Sequence, residues 1–237
     1  LLRTVSLPAV EDDELTSMVQ LQVDKFSPFP IENMVVSHEV LERKPDSCLV
    51  LICAIKRDVV EQIGNMLAQS AIVPHCIAAA VLGYWHLLRN SGYSAHKGLD
   101  IVLLLAGPQP ELMVLQDGLP IVFRSLGDTA GLDEADIAEE IALAVNQTLM
   151  SLEADHGISG KCPVSILHQG KAPEQIAGKL RSRCPVTDVT FKPINSLPPL
   201  TEGLARRTES QATAGLDLTP PAWREAGQTK VFKRRML

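Results

Sequence analysis

Few residues of this chain stand at spacings that could perform chemistry. The six histidines form neither an HExxH motif nor any other pair with metal-ligand spacing, and there is no GxSxG or P-loop motif. His75 and Cys76 are neighbours, but adjacent side chains point in different directions in any regular element, so a shared metal ion is disfavoured. The motifs therefore indicate neither a metal centre nor a nucleophilic hydrolase.

Carboxylates cluster in one place, near the start of a helix predicted over residues 132–153. They are Asp133, Asp136, Glu139 and Glu140. Two interpretations are open, a general acid/base pair and a solvated helix face. The second is favoured, because charged residues on a predicted helix most often form its exposed face.

The five cysteines, at positions 48, 53, 76, 162 and 184, include no CxxC pair and are odd in number. Most of them lie in apolar, strand-like stretches such as SCLVLICAI. We therefore predict buried, reduced thiols in a cytosolic domain, in preference to a disulfide framework or a zinc site.

Composition excludes several classes of protein. The chain has 237 residues, is 46% hydrophobic and has a net charge of -6, which predicts a globular domain with a proper core and argues against general nucleic-acid binding. There is no apolar run long enough to cross a bilayer. The first residues lack a methionine and already have the pattern of a strand, so we expect a piece of a longer protein.

The elements that would position any site centre on residues 101–124, IVLLLAGPQPELMVLQDGLPIVFR. Unbroken aliphatic strands of this kind are buried on both faces of a sheet. Asp117-Gly118 between two apolar runs is a strong hairpin signal. The stretch therefore predicts a β-meander at the heart of a domain.

Around the meander, apolar periodicity and turn residues predict the other elements. The predicted strands are 1–7, 34–41, 48–55, 164–167 and 186–191, with a short edge piece at 72–74, and the predicted helices are 11–26, 56–70, 76–89, 132–153 and 173–183. The second half thus reads β-β-β-α-β-α-β. The polar stretch 90–98 suggests a domain boundary, and 196–215, without an apolar period, suggests a linker. The predicted divisions are 1–89, 99–193 and 194–237.

The order meander, helix, strand ending in glycine, helix resembles the second domain of actin-like ATPases. In the front half, DELTSMVQLQVDKFSPFPIENMVVSHEVL (13–41) and AIKRDVVEQIGNMLAQSAIVPHCIAAA (54–80) resemble the PilM family of type IV pilus assembly proteins. In PilM and in the cell-division protein FtsA, this inserted unit is subdomain 1C. The resemblance covers residues 1–193. It implies an α/β, actin-like fold of the FtsA/PilM type, ribonuclease H-like and two-domain, in which the first domain is incomplete and the 1C-like subdomain spans 1–89 with a linking helix.

The resemblance also shows which chemistry is missing. An actin-like ATPase needs a carboxylate and glycines in its second phosphate loop, where the Asp helps to position Mg²⁺ and water. In PilM-like chains this is an Asp-Ile-Gly phrase at the end of the first meander strand. This chain has Leu-Leu-Leu-Ala-Gly-Pro at 103–108, and Asp100 stands at the wrong end of the strand. Gly107, Gly127 and Gly170 remain as weak remnants of the family's nucleotide-binding glycines. We expect a degenerate ATPase without a cofactor, with Mg-ATP binding as the disfavoured alternative.

The C-terminal stretch carries a second resemblance. Residues 216–221, LDLTPP, are similar to the "NL.P" segment that precedes the membrane span in PilN-type and GspL-type proteins, and the PilN segment docks onto PilM. Leu216, Leu218, Pro220 and Trp223 are therefore candidate partner-binding residues. Trp223 could be a docking anchor, a membrane-interface residue or part of an idle tail. Basic residues suited to the cytoplasmic flank of a span beyond residue 237 are Lys230, Lys233, Arg234 and Arg235.

The leading hypothesis is a non-catalytic scaffold at the cytoplasmic face of the bacterial inner membrane, in a type IV pilus or type II secretion platform. Its expected partners are a PilN- or GspM-like inner-membrane subunit, the assembly ATPase and a second copy of itself. One alternative is an ATP-binding, ATP-hydrolysing member of the same fold. Another is an actin-fold sugar kinase, against which stands the lack of an Asp in a loop suited to activating a hydroxyl.

Overall fold

A computed structural model describes residues 1–72, 74, 76–92, 97–210, 215–220 and 222–223. The chain divides into two compact units, of which the first comprises 1–80 with 204–237 and the second 81–203. None of the helices in the described ranges is both long enough and apolar enough to cross a membrane.

The first part of the chain supplies three strands and two helices: β1 (Leu2–Pro8), α1 (Asp12–Phe26), β2 (Met34–Arg43), β3 (Ser47–Lys56) and α2 (Arg57–Gln69). The rest supplies α3 (Ala80–Asn90), β4 (Leu99–Leu105), β5 (Glu111–Gln116), β6 (Leu119–Ser125), α4 (Glu134–His156), β7 (Cys162–His168), α5 (Glu174–Arg183), β8 (Val186–Pro193) and α6 (Leu200–Ser210). The predicted order β-β-β-α-β-α-β of the second half is confirmed.

The first unit is an antiparallel sheet in the order β1-β3-β2 with α1 packed on it. Leu15, Val19 and Val23 recur every four residues along α1 and are completely buried, as an amphipathic helix on a sheet requires. They meet side chains of the central strand β3, including Val50 and Ile52. Three acidic residues begin the helix, where negative charge is favourable.

The second unit is a mixed sheet in the order β6-β5-β4-β7-β8. β4 lies at its centre, antiparallel to β5 and parallel to β7, and its residues 100–104 are all buried. The prediction of an aliphatic strand buried on both faces is thus confirmed. On one face, Ile101 and Leu103 belong to a core that α4 completes with Ala138, Ile141 and Val145.

The predicted hairpin turn joins β5 to β6. Asp117 and Gly118 have φ values of 53° and 79°, the left-handed conformation that a two-residue type I′ turn requires at both positions. The turn is held from two sides: Asp117 accepts a hydrogen bond from the Gly98 N–H, and the indole N–H of Trp85 donates to the Gly118 carbonyl at 3.1 Å.

The linker predicted over 196–215 was wrong for residues 200–210, which form helix α6. Leu200, Gly203, Leu204 and Arg207 are among its less exposed positions, together with Glu202, and follow helical spacing. A glycine and an arginine hide this pattern in a polar sequence. Gly203 is needed for close packing on α3, since a Cβ there would lie 2.6 Å from the Gly83 carbonyl oxygen. The predicted edge piece at 72–74 is also wrong for residues 72 and 74, which are not in a strand; residue 73 lies outside the described residues.

All five cysteines are free thiols, and all except Cys76 are buried. Burial raises the pKa of Cys53 and of Cys162 to about 11. These thiols therefore stay protonated at neutral pH, which makes them poor nucleophiles and poor metal ligands.

The centrality of β4 generates a stability prediction. Leu103→Ala should lower the free energy of unfolding by about 2–5 kcal/mol, because it leaves a cavity in a fully buried site. Leu143→Ala is the matched control: this leucine, on α4, is 52% exposed, so its removal should change stability by less than about 0.5 kcal/mol. Urea denaturation measures both, and equal losses would contradict this account of the core.

Candidate functional site

One edge of the second unit's sheet gathers the ends of three strands. Leu105 pairs with His168, so β4 and β7 end together, and the pairing of Glu111 with Ser125 brings the end of β6 to the same edge. In open α/β sheets, ligands bind at such an edge. Loops carrying the three candidate glycines, at positions 107, 127 and 170, follow these strand ends.

Backbone geometry explains two of these glycines without a ligand. Gly127 and Gly170 have φ values of 92° and 70°, which glycine adopts at little cost. A Cβ at any of the three, Gly107 included, would meet nothing within 4 Å. The nucleotide-binding role of these positions stays a prediction.

The loop after β4 is tied to the loop after β6. The Pro108 carbonyl accepts hydrogen bonds from the backbone N–H and from the hydroxyl of Thr129, both at 2.8 Å. The N–H of Leu126 donates to the Pro110 carbonyl, also at 2.8 Å. The prolines at 108 and 110 have no N–H of their own, so this turn offers few backbone donors to a phosphate.

The carboxylates of the second unit are poorly placed for magnesium chemistry. Asp100 pairs with Leu115 at the start of β4, far along the strand from Gly107, and is buried there near Cys162. Glu111 does lie at the strand-end edge, where burial raises its pKa. Among the described residues, no three His, Cys, Asp or Glu side chains are grouped to hold a metal ion.

His168 lies at this edge and has a buried ring nitrogen whose hydrogen bonding is incomplete within the described part of the chain. Its side chain is 5% exposed, its Nδ1 has no partner among the described residues, and its ring stands edge-on to Phe191 with centroids 6.1 Å apart. Sequence reasoning treated this residue only as part of a strand-to-helix turn.

A second site lies wholly within the first unit, where residues 215–220 lie against β2 and the chain around residue 77. Three backbone N–H groups of the segment donate outward: Leu216 to the Glu39 carboxylate at 3.4 Å, Asp217 to the Ser37 hydroxyl at 3.0 Å, and Leu218 to the Ile77 carbonyl at 2.8 Å. The segment is thus held by two side-chain acceptors and one main-chain acceptor.

The Asp217 carboxylate holds the segment from the other direction. One of its oxygens accepts hydrogen bonds from the Ile77 N–H at 3.1 Å and from the Thr219 N–H at 2.8 Å. The second bond closes an Asx-type turn that sets the direction in which the chain enters Thr219. The first bond fastens the turn to the surface formed by Ser37 and Glu39 of β2, Ile77 and Arg207, which we call the groove.

A buried ion pair completes the groove. Arg207 of α6 donates to the Glu39 carboxylate, and the two side chains are only 5% and 12% exposed. The same carboxylate oxygen accepts from the Leu216 N–H. Glu39 therefore binds both α6 and the segment, and its charge is balanced by Arg207.

The apolar side chains of the segment are buried. Leu216 and Leu218 are 3% and 4% exposed, and Pro220 is also buried. The backbone N–H of Trp223 donates to the Pro220 carbonyl, and the Trp223 ring lies directly against Gly64 of α2. All four residues predicted to bind a partner thus lie along one docked segment of this chain.

Sequence reasoning missed the receiving side of this groove. Ser37, Glu39, Ile77 and Arg207 are ordinary residues of a strand, a connection and a helix, and only the fold brings them together. The role of Asp217 could have been predicted from the sequence, because an aspartate in this setting, between two leucines and before Thr-Pro, is a turn signal. Pro221 and the basic residues Lys230, Lys233, Arg234 and Arg235 lie outside the described residues.

The role of Asp217 can be tested directly. Asp217→Ala removes the acceptor of two N–H groups, so we expect the free energy of unfolding to fall by about 1–3 kcal/mol. Asp217→Asn keeps a carbonyl acceptor and should lose much less. Urea denaturation of the two variants beside the wild type gives the comparison, and an alanine variant as stable as the wild type would show that the segment is not held in this way.

The chain matches no protein-family model and no curated protein. Among solved structures, it is similar to the PilM-PilN type IV pilus biogenesis complex, with 16% identity and a TM-score of 0.63 over 89% of this chain and 70% of the other. It is also similar to the cytoplasmic domain of EpsL, an inner membrane component of the type II secretion system of Vibrio cholerae, with 11% identity and a TM-score of 0.51 over 94% and 74%.

A Bacteroides thetaiotaomicron protein of unknown function, described as having an actin-like ATPase fold, matches over 86% of this chain and 70% of its own, with 11% identity and a TM-score of 0.47. Identities this low establish the fold alone. The expectation from the residues is confirmed at that level: the chain has an actin-like α/β fold of the kind found in the PilM-PilN complex and in the cytoplasmic domain of EpsL.

Proposed function

We propose that this protein is a non-catalytic scaffold of a type IV pilus or type II secretion platform, and that it works through segment docking. The observation that carries the proposal is the segment Leu216–Pro220 seated in a groove of its own chain. The solved structures it resembles come from a pilus biogenesis complex and from a type II secretion component.

The strand-end edge supports the absence of hydrolysis. Phosphoryl transfer requires a bound metal ion and donors aimed at phosphate oxygens. The turn after β4 carries two prolines and is hydrogen-bonded to Thr129, while Asp100 stands at the far end of the strand. The described residues at this edge therefore form no group of three metal-ligating side chains, and the turn offers few backbone donors to a phosphate, both of which support the proposal.

The docked segment gives the scaffold a physical basis. In the pilus system that the sequence resembles, a segment of PilN docks onto PilM. Here a similar segment follows the domain on the same chain and fills a groove between β2 and Ile77. Because the segment and the groove belong to one chain, docking is intramolecular. It does not depend on the concentration of a partner and is favoured by the high effective concentration of the segment.

The partners belong to the proposal as well. A PilN- or GspM-like inner-membrane subunit, the assembly ATPase and a second copy of the chain are the candidates, and the cytoplasmic face of the inner membrane is the proposed location. Two apolar side chains of α4, Leu143 and Met150, are 52% and 62% exposed and lie seven residues apart. Positions seven apart share a helix face, so this surface is available for contact.

One observation favours the second candidate, an ATP-binding member of the same fold. The unpartnered Nδ1 of His168 lies at the strand-end edge, beside the loop of Gly170. A nucleotide donor could pair with it. The sugar-kinase alternative receives no such support: Asp128 lies in the loop after β6, but one of its carboxylate oxygens already accepts the Ala130 N–H.

A nucleotide titration separates the two candidates. We expect no change in the melting temperature of the full-length protein at millimolar Mg-ATP, because the edge lacks a phosphate cradle. A ligand at 100 times its Kd would add about 2.7 kcal/mol, which is a shift of several degrees for a domain of this size. A rise in melting temperature that requires Mg²⁺ and is absent with EDTA would contradict the scaffold hypothesis and support the ATP-binding one.

A binding experiment tests the scaffold itself. The purified protein should retain the inner-membrane subunit and the ATPase of its own assembly in a pull-down, equally well without nucleotide and with ATP. Leu143→Asp places a charge on the exposed face of α4 and should weaken whichever partner covers that face, without changing the fold. Retention of neither partner would contradict the proposal.

A further inference from the structure

Trp223 rests on α2 at a position that only glycine can occupy. A Cβ built on Gly64 would lie 2.5 Å from Cζ2 and 2.6 Å from Cζ3 of the Trp223 ring, and closer still to Cη2. Real Cβ atoms do not come so near to other heavy atoms. The indole is a rigid aromatic ring and cannot bend away as the end of a flexible side chain would.

Gly64 has a low helix propensity for its position inside α2. It lies in the middle of the thirteen-residue helix α2, where glycine is the least favourable residue except proline. Its φ is not in the left-handed region, so no turn or cap requires it. The contact with Trp223 is the feature of the described structure that accounts for the missing side chain.

Trp223 is also tied to the docked segment. Its N–H donates to the carbonyl of Pro220 at 3.0 Å, and Pro220 is buried beside Thr219 and Leu218. The ring position is therefore set by the same backbone that places the two leucines. The segment has two ends, an apolar one at Leu216 and an aromatic one at Trp223.

From this geometry we propose that Gly64 forms an aromatic-acceptor site, and that this site determines which segments the groove accepts. The preferred occupant is an extended peptide with two apolar residues flanking a carboxylate, then proline, then an aromatic side chain three residues beyond that proline. The inference rests on the proposed segment docking and deepens it. Gly64 acts as the specificity-determining residue because any side chain there would displace the ring.

A simpler account would make Gly64 an incidental glycine in a helix, and it predicts the opposite sign for one substitution. Alanine stabilises a helix interior relative to glycine when nothing crowds its Cβ. Under the acceptor-site proposal, Gly64→Ala destabilises the protein when Trp223 is present and stabilises it when Trp223 is absent. Gly178 of α5 is the matched control, because a Cβ there meets nothing within 4 Å.

The experiment uses the full-length protein in a double-mutant cycle of wild type, Gly64→Ala, Trp223→Ala and the double variant. Melting temperature and amide hydrogen exchange at residues 215–223 are the readouts. We expect Gly64→Ala and Trp223→Ala each to speed exchange in the segment by roughly tenfold, as the loss of an aromatic anchor implies. The double variant should exchange no faster than either single one and should melt higher than Trp223→Ala.

A labelled peptide covering residues 215–223 then tests the selectivity. It should bind the Trp223→Ala protein at least roughly tenfold more tightly than the same peptide ending in alanine, a difference expected for a tryptophan hot spot. The difference should vanish in the double variant, which lacks room for the ring.

The acceptor site is overturned if Gly64→Ala raises the melting temperature in both backgrounds, as Gly178→Ala should, and leaves segment exchange unchanged. Equal affinity of the two peptides would also overturn it. Either failure leaves the docking of Leu216–Pro220 standing, because that is tested separately through Asp217. Conversely, a failed pull-down would contradict the proposed scaffold function but would not affect the result of the double-mutant cycle on Gly64 and Trp223.

Discussion

The docked segment depends on one carboxylate that is largely removed from water. Glu39 is 12% exposed, and a charge removed from water this far is costly unless it is paired and hydrogen-bonded. Arg207 supplies the opposite charge, and the Leu216 N–H supplies a further hydrogen bond. Each of the three needs the others: without the arginine, the carboxylate would be an uncompensated buried charge, and without the carboxylate, the segment would lose an acceptor. Such a pair contributes specificity of position more surely than it contributes stability.

The second unit follows a different principle. Residues 101–104 of its central strand are all aliphatic and buried, so the sheet is stabilised by the removal of aliphatic surface from water. The loops at its strand-end edge are then joined to each other through the Pro108 carbonyl. In an enzyme, those backbone groups would face a ligand. Here they satisfy one another.

Much of this fold could be predicted from the sequence, because its elements have strong local signals. The aliphatic run at 101–105, the Asp117-Gly118 turn and the four-residue period of α1 each indicate their structure without tertiary information. Helix α6 was missed because its buried positions include Gly203 and Arg207, whose roles are set by contacts with distant residues. The docked segment could be predicted, because residues 216–221 have a recognisable sequence pattern. The residues that receive it could not, because only the fold and the register of β2 bring Ser37 and Glu39 to the segment.

The way in which the segment is held has a mechanical consequence. A docked chain that paired along the full edge of a sheet would resist a pull along its length with many hydrogen bonds at once. This segment is held by separate contacts to Glu39, Ser37 and Ile77, with the ring of Trp223 nearest the C-terminus. Tension applied from the C-terminal side reaches the indole first and the Glu39 contact last. The contacts would therefore fail one after another at modest force.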